Sequence, residues 1–173
     1  MAPTRMLALA FSLLLPAGTA IAQSLPPGTA TGLPLPRYVS LKSDRVNLRE
    51  GPSKEHRTRW VYQKAGLPVE IVAEFETWRR VRDADGAEGW VLHSLLSGRR
   101  TAVVAPWERE KGEPVPMLRQ PEQGATLVAR LEPGVVTSVE NCSEGWCRVE
   151  VGRLRGFVRQ ERLWGVYPNE TVD

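Results

Sequence analysis

Nucleophiles, metal ligands and long apolar stretches are all scarce in this chain. Its only histidines are His56 and His93, and its only cysteines are Cys142 and Cys147. His56 falls in a predicted loop after Pro52 and His93 beside a terminal turn, so both read as ordinary surface residues. No G-x-S-x-G, H-E-x-x-H or G-x-x-x-x-G-K-S/T motif occurs. These shortages argue against an enzyme and give no reason to expect a metal or a cofactor. The stretch 83–88, Asp-Ala-Asp-Gly-Ala-Glu, has acids at alternate positions before a glycine, like part of a calcium loop. It is too short for one and lies where a hairpin turn is needed, which Asp and Gly favour for backbone reasons. Beyond the N-terminus, no run approaches the roughly eighteen apolar residues of a membrane span.

A surplus of charge is also missing. Residues 1–22 carry a basic Arg5, an apolar run over 7–15 and Ala20-Ile21-Ala22 before Gln23. This pattern predicts a secretory signal peptide cut after Ala22, and with Gln23 next there is no lipoprotein cysteine. Removing it leaves 22 Lys and Arg against 20 Asp and Glu. The mature chain is then expected in the periplasm or medium, where nucleic acid is a poor candidate partner. Its basic residues are almost all arginine, and clusters such as Arg79-Arg80, Arg99-Arg100 and Arg153 with Arg155 suit solvated strand faces or patches toward anionic polymers and lipid headgroups. In an oxidising compartment Cys142 and Cys147 are expected to form a disulfide across a hairpin mouth. The loop closed is short, so its entropic contribution is roughly 2 kcal/mol. Neither cysteine is then free for a Cys-His dyad.

Helical periodicity is absent too, and the chain repeats itself instead. Leu48-Arg49, Gly66, Trp78, Arg80-Val81, Gly89-Trp90-Val91 and Leu96 recur in order as Leu118-Arg119, Gly134, Trp146, Arg148-Val149, Gly156-Phe157-Val158 and Leu163. Twelve residues separate Gly from Trp in both copies, and seven separate the last Gly from Leu. Length differences confined to loops are what two copies of one small fold produce.

Short strands punctuated by turns are predicted at 38–41, 46–49, 60–62, 68–74, 78–82 and 88–92, with a 3-10 turn at 93–96. The second copy follows with 115–119, 127–130, 135–140, 146–151, 154–159 and a turn at 160–163. The division is a Pro- and Gly-rich leader over 23–37, a first module over 38–98, a linker over 99–114 and a second module over 115–170. The leader reads as a flexible, polyproline-type spacer. In the linker, 101–105 suits a further strand and 107–113 a mobile charged segment, although Trp107 should pack onto a neighbouring module and fix the pair. The fold class is all-β. Six short strands closing on themselves remove exposed edges, and two tandem β-barrels are expected.

The phrase Val46-Asn47-Leu48-Arg49-x-Gly51-Pro52, followed by Gly66, Val69, Trp78, Val81, Gly89-Trp90-Val91 and Leu95-Leu96, resembles the bacterial Src-homology-3-like (SH3b) domain. The chain is similar in particular to exported alphaproteobacterial proteins with two such domains, through residues 32–37, 65–69, 95–101 and 163–167. The resemblance implies small β-barrels used for binding or targeting. Relatives often sit beside cell-wall hydrolases and recognise peptidoglycan peptides. The second copy departs from the pattern at residues 116–121 and in carrying Phe157 where the first has Trp90.

Aromatic residues at strand starts supply the candidate binding site: Trp60, Tyr62, Trp78 and Trp90 in the first copy, Trp146 and Phe157 in the second. Arg80 near Trp78 and Arg148 near Trp146 would suit a peptide carboxylate or a stacked ligand. A free sheet edge offers another way to take a peptide. The expected function is non-enzymatic binding of peptidoglycan or of a peptide of an envelope partner. The alternatives are a structural assembly factor with no small ligand and a regulator of a cell-wall hydrolase.

Overall fold

A computed structural model describes residues 25–110 and 112–173. The expected signal peptide and residues 23 and 24 of the leader lie outside them. The first sheet contains β1 (Arg37–Leu41), β2 (Val46–Arg49), β3 (Thr58–Tyr62), β4 (Pro68–Phe75), β5 (Trp78–Arg82), β6 (Glu88–Leu92) and, after a 3-10 turn at His93–Leu95, β7 (Leu96–Ser97). The second contains β8 (Thr101–Val104), β9 (Val115–Leu118), β10 (Leu127–Leu131), β11 (Val136–Ser143), β12 (Trp146–Val151), β13 (Leu154–Arg159) and β14 (Leu163–Trp164). Strand order is β3-β2-β6-β5-β4-β1-β7 in one and β10-β9-β13-β12-β11-β8-β14 in the other. Both are antiparallel and the second repeats the first strand for strand. The stretch assigned to the linker therefore carries β8, the counterpart of β1, followed by a 3-10 turn at Pro106–Glu108. No described helix is long and apolar enough to cross a membrane.

Each sheet curls around its own core because apolar residues alternate along its strands. Val46, Leu48, Val69, Ile71, Val81 and Val91 fill the first, and Val115, Met117, Val139, Val149 and Val158 the second. This alternation corrects the repeat by one residue at its start. Val46 and Leu48 occupy the positions of Val115 and Met117, so Arg49 corresponds to Leu118, and Arg119 matches Glu50. The backbone agrees: Arg49 lies opposite Trp90, and Leu118 opposite Phe157. Matching the two Leu-Arg pairs would have turned the core face of β9 to solvent.

The shared glycines mark places without room or with unusual backbone. A Cβ on Gly89 would stand 2.6 Å from Leu48 Cγ and 2.7 Å from the Arg49 carbonyl oxygen, and one on Gly156 would meet Met117 Cγ and the Leu118 oxygen at the same distances. Gly66 and Gly134 have φ of 77° and 89°, and their N–H groups donate to Leu41 and Val104 oxygens, closing matching turns.

The β4–β5 hairpin end is held differently in the two copies. Cys142 lies opposite Cys147 and the pair is disulfide-bonded, with Cα atoms 4.1 Å apart. At the corresponding positions Glu74 lies opposite Arg79, with Nε 3.3 Å from the carboxylate. Each end also holds a chain extension. The Cys142 backbone exchanges hydrogen bonds of 2.8 and 3.0 Å with Val172 near the C-terminus. Glu74 receives the leader: Ala30 N–H and Thr31 N–H donate to Oε2 at 2.9 Å, and Thr31 Oγ1 and Arg37 Nη2 donate to Oε1 at 2.8 and 2.6 Å. The leader from residue 25 onward is thus docked rather than a free spacer. Its missing proline donors are replaced by a turn closed on itself, with Gly28 N–H donating to Leu33 O and Leu35 N–H to Pro26 O.

The two modules touch. Tyr38 on β1 packs edge-on against Trp164 on β14 at 5.1 Å, and at a tilt of 38° against Tyr167 at 4.6 Å, between ring centroids. Tyr167 Oη donates to Glu70 at 2.8 Å across the junction, and Arg82 Nε holds the same carboxyl group at 2.9 Å. Trp107, expected to pin the pair, is instead 56% exposed. Its turn is anchored by buried Pro106 and by Arg162 donating to Glu108, and this directs the indole outward. The segment after Trp107 is tethered as well, by Arg109 donating to Asp85 at 2.8 Å.

Candidate functional site

β3 ends the first sheet, so one of its edges has no strand partner. Trp60 and Tyr62 stand on its core-facing side, opposite Leu48 and Val46. Tyr62 reaches the core and is 6% exposed, whereas Trp60, at the open end of the curl, is 60% exposed. Beside Trp60 a cleft of about 440 Å3 runs between the modules, with Leu48, Leu67, Pro68 and Val103 among its apolar walls. Its polar rim is formed by Asp83, Asp85, Glu88, Arg59 and Arg109.

The acids of the 83–86 turn are committed locally. Asp83 Oδ1 accepts from the N–H groups of Asp85 and Ala87 at 3.0 and 2.8 Å, and Oδ2 from Tyr62 Oη at 2.9 Å. Burial, followed by the Asp83 charge and hydrogen bond, pushes the Tyr62 hydroxyl far above the ordinary phenol range, so it stays a proton donor. Asp85 pairs with Arg109. Arg59 makes one hydrogen bond, to the Glu88 carbonyl oxygen at 3.3 Å, and has no carboxylate partner among the described residues. Arg59 was not among the residues singled out from the sequence, because it precedes the strand predicted at 60–62, whereas β3 begins at Thr58; its place beside Trp60 was the available signal. Among the described residues no cluster of three or more His, Cys, Asp or Glu side chains could hold a metal ion.

The other aromatic candidates divide by burial. Trp78 and Trp146 are 7% and 9% exposed, so their ring faces are largely taken up by packing. The Arg159 guanidinium lies 5.0 Å from the Trp146 centroid. Trp90 and Phe157 are half-buried on the outer faces of their sheets, opposite Arg80 and Arg148. Neither arginine is free for a ligand carboxylate, because Arg80 pairs with Glu88 at 2.8 Å and Arg148 with Glu140 at 3.1 Å. Next to Trp78 a smaller groove is bordered by Arg45, Arg49 and Lys54. Arg49 is tied there to the carbonyl oxygens of Lys54 and His56. The structure therefore brings Trp60 and Tyr62 together at the inter-module cleft, and places Trp78, Arg80 and Trp90 elsewhere on the first module. Trp146, Arg148 and Phe157 belong to the second.

The family model described as Bacterial SH3 domain matches this chain twice, over residues 42–98 and 111–165. No curated protein sequence matches it. Among solved structures it is similar to NlpC2 from Trichomonas vaginalis at 12% identity and a TM-score of 0.33, over 75% of this chain and 48% of that one. It is also similar to NlpC1 from Trichomonas vaginalis at 12% identity and a TM-score of 0.32, over 82% and 50%. The chain spans about half the length of these structures.

Proposed function

Because the chain belongs to the bacterial SH3 domain family through both of its modules, we propose that it is a non-enzymatic binding protein of the cell envelope. Its ligand is a peptide segment, supplied by peptidoglycan or by an envelope protein, held in the inter-module cleft. The observation that carries this reading is Trp60, a large aromatic left 60% exposed at the mouth of a cavity of about 440 Å3. An exposed ring beside apolar walls and a few polar groups is the usual composition of a recognition pocket. The disulfide supports action in an oxidising compartment.

The experiment is a pull-down on purified sacculi, joined to crosslinking in the periplasm, with wild type and Trp60→Ala. Wild type is expected to be retained by sacculi or to capture an envelope partner, and Trp60→Ala to lose at least tenfold in retention while melting normally. Undiminished retention of the variant would remove the cleft from the proposal, and failure of wild type in both assays would remove the function. In that last case the burial of Trp78 and Trp146 favours the structural reading, an assembly factor whose aromatics serve the fold.

A further inference from the structure

In a second groove at the module junction, lined by residues other than those of the Trp60 cleft, we infer a binding site for a phosphoryl group. The groove, of about 320 Å3, lies between the turn after β3 and the β8–β11–β12 face, bordered by Lys64, Arg99, Thr101, Thr137, Ser138 and Glu150. Register explains how its hydroxyls meet. Thr101 lies opposite Ser138 across β8 and β11, and Ser138 opposite Glu150 across β11 and β12, so the three form one row. Arg99 Nη2 donates to Ser138 Oγ at 2.7 Å, which leaves that hydroxyl proton available to an acceptor in the groove.

Charge and unmet hydrogen bonding both point to an anion. Lys64 and Arg99 are exposed, and neither has a carboxylate within ion-pair distance among the described residues. The one acid of the row, Glu150, is held by Arg155 at 2.9 Å, so the groove keeps two uncompensated cations. Thr101 is 4% exposed, yet its Oγ1 has no hydrogen-bond partner. A buried hydroxyl left unpaired is costly and calls for a partner. Thr137 is not available, since its single hydroxyl proton is taken up by the carbonyl oxygens of Ser138 and Glu150, each 3.0 Å from Oγ1. One ammonium, one guanidinium and the Ser138 hydroxyl bordering one groove, with the Thr101 hydroxyl beside it in the same row, suit a tetrahedral group with several acceptor oxygens better than a planar carboxylate. Arg153, exposed one residue beyond the groove wall at Gly152, adds to the positive field. The site is separate from the Trp60 cleft and does not rest on it.

The source of the phosphoryl group is either a soluble phosphate or the headgroup of an anionic phospholipid, and the test separates them. The full chain is titrated with inorganic phosphate at low ionic strength, and sedimented with phosphatidylglycerol vesicles against phosphatidylcholine vesicles. At least one phosphate source should bind, about tenfold more weakly in Lys64→Gln or Arg99→Gln and undetectably in the double variant, with unchanged melting since both side chains are exposed. Thr101→Val should weaken binding several-fold without lowering thermal stability. Binding of inorganic phosphate assigns the free group, and binding of phosphatidylglycerol vesicles alone assigns the headgroup. Binding of neither probe, or binding that survives the double variant, overturns the inference.

Discussion

Glu74 shows how much one side chain organises here. Its carboxylate is fully buried, which by itself would raise its pKa. Hydrogen bonds from Arg37, from Thr31 Oγ1 and from the N–H groups of Ala30 and Thr31 outweigh that and hold it at about 2. A carboxylate whose folded pKa lies below its unfolded value of 4.5 stabilises the fold above that value. The stabilisation is lost as pH falls from about 4.5 toward about 2. Protection of the Ala30 and Thr31 amides, taken relative to their intrinsic exchange rates, is expected to fall across this window ahead of the core strands, and protection that persists unchanged to pH 2 would contradict the assignment. Glu74→Gln should mimic the acid state at neutral pH, because the amide keeps the shape but weakens the charged bonds to Arg37 and Arg79. The glycines at the β2–β6 and β9–β13 crossings make a second prediction. Gly89→Ala and Gly156→Ala should each cost about 1–3 kcal/mol in urea unfolding, since part of each clash is with backbone that cannot move aside.

Along the strands, alternation decides which residues are interchangeable between the copies. The sequence repeat is clear from Gly66 and Gly134 onward, where spacing from Gly to Trp is the same. It slips at the start because two Leu-Arg pairs look alike while the buried face belongs to Met117. Met117→Ala is expected to cost about 2–5 kcal/mol, the range for emptying a core position. Arg119→Ala, at an exposed position just beyond β9, should stay within about 0.5 kcal/mol. Equal losses at the two positions would restore the original matching. At the hairpin ends, reduction of Cys142–Cys147 should lower stability by roughly 2 kcal/mol, the chain-entropy value for so short a loop. The same treatment should loosen Val172, whose bridge partner among the described residues is Cys142. The strands themselves were largely legible, with 46–49, 78–82, 88–92, 146–151 and 154–159 at their predicted bounds. The leader was not, because a Pro- and Gly-rich segment carries no periodicity and its order comes from a carboxylate more than forty residues away.

In the whole molecule, the two barrels behave as a joined pair through Tyr38, Trp164 and Tyr167. Burial, then the Glu70 charge, pushes the Tyr38 hydroxyl up to about 12, as expected for a ring enclosed at a junction. Tyr167→Phe removes only the hydrogen bond to Glu70 and should cost about 1 kcal/mol. If that bond helps to couple the modules, calorimetry should show a broadened transition, or two, where wild type gives one; an unchanged profile would mean that ring packing alone couples them. The junction also creates both grooves. The Trp60 cleft needs Val103 and Arg109 from beyond the first module, and the phosphoryl site needs Lys64 from the first and Ser138 from the second.

Composition and spacing alone were enough for an all-β fold, two copies, a hairpin disulfide and a shortage of catalytic groups, because these depend on local alternation, turn chemistry and residue counts. Which aromatic is exposed and which cation is free depended on three-dimensional packing. Trp60 and Trp78 occupy similar places in the pattern, but one lies at the open end of a curled sheet and the other is enclosed. Arg80 and Arg59 are alike in sequence, but a cross-strand glutamate neutralises only the first. Burial and charge pairing are set by neighbours brought together from distant positions and across two modules, and no spacing within one copy encodes them.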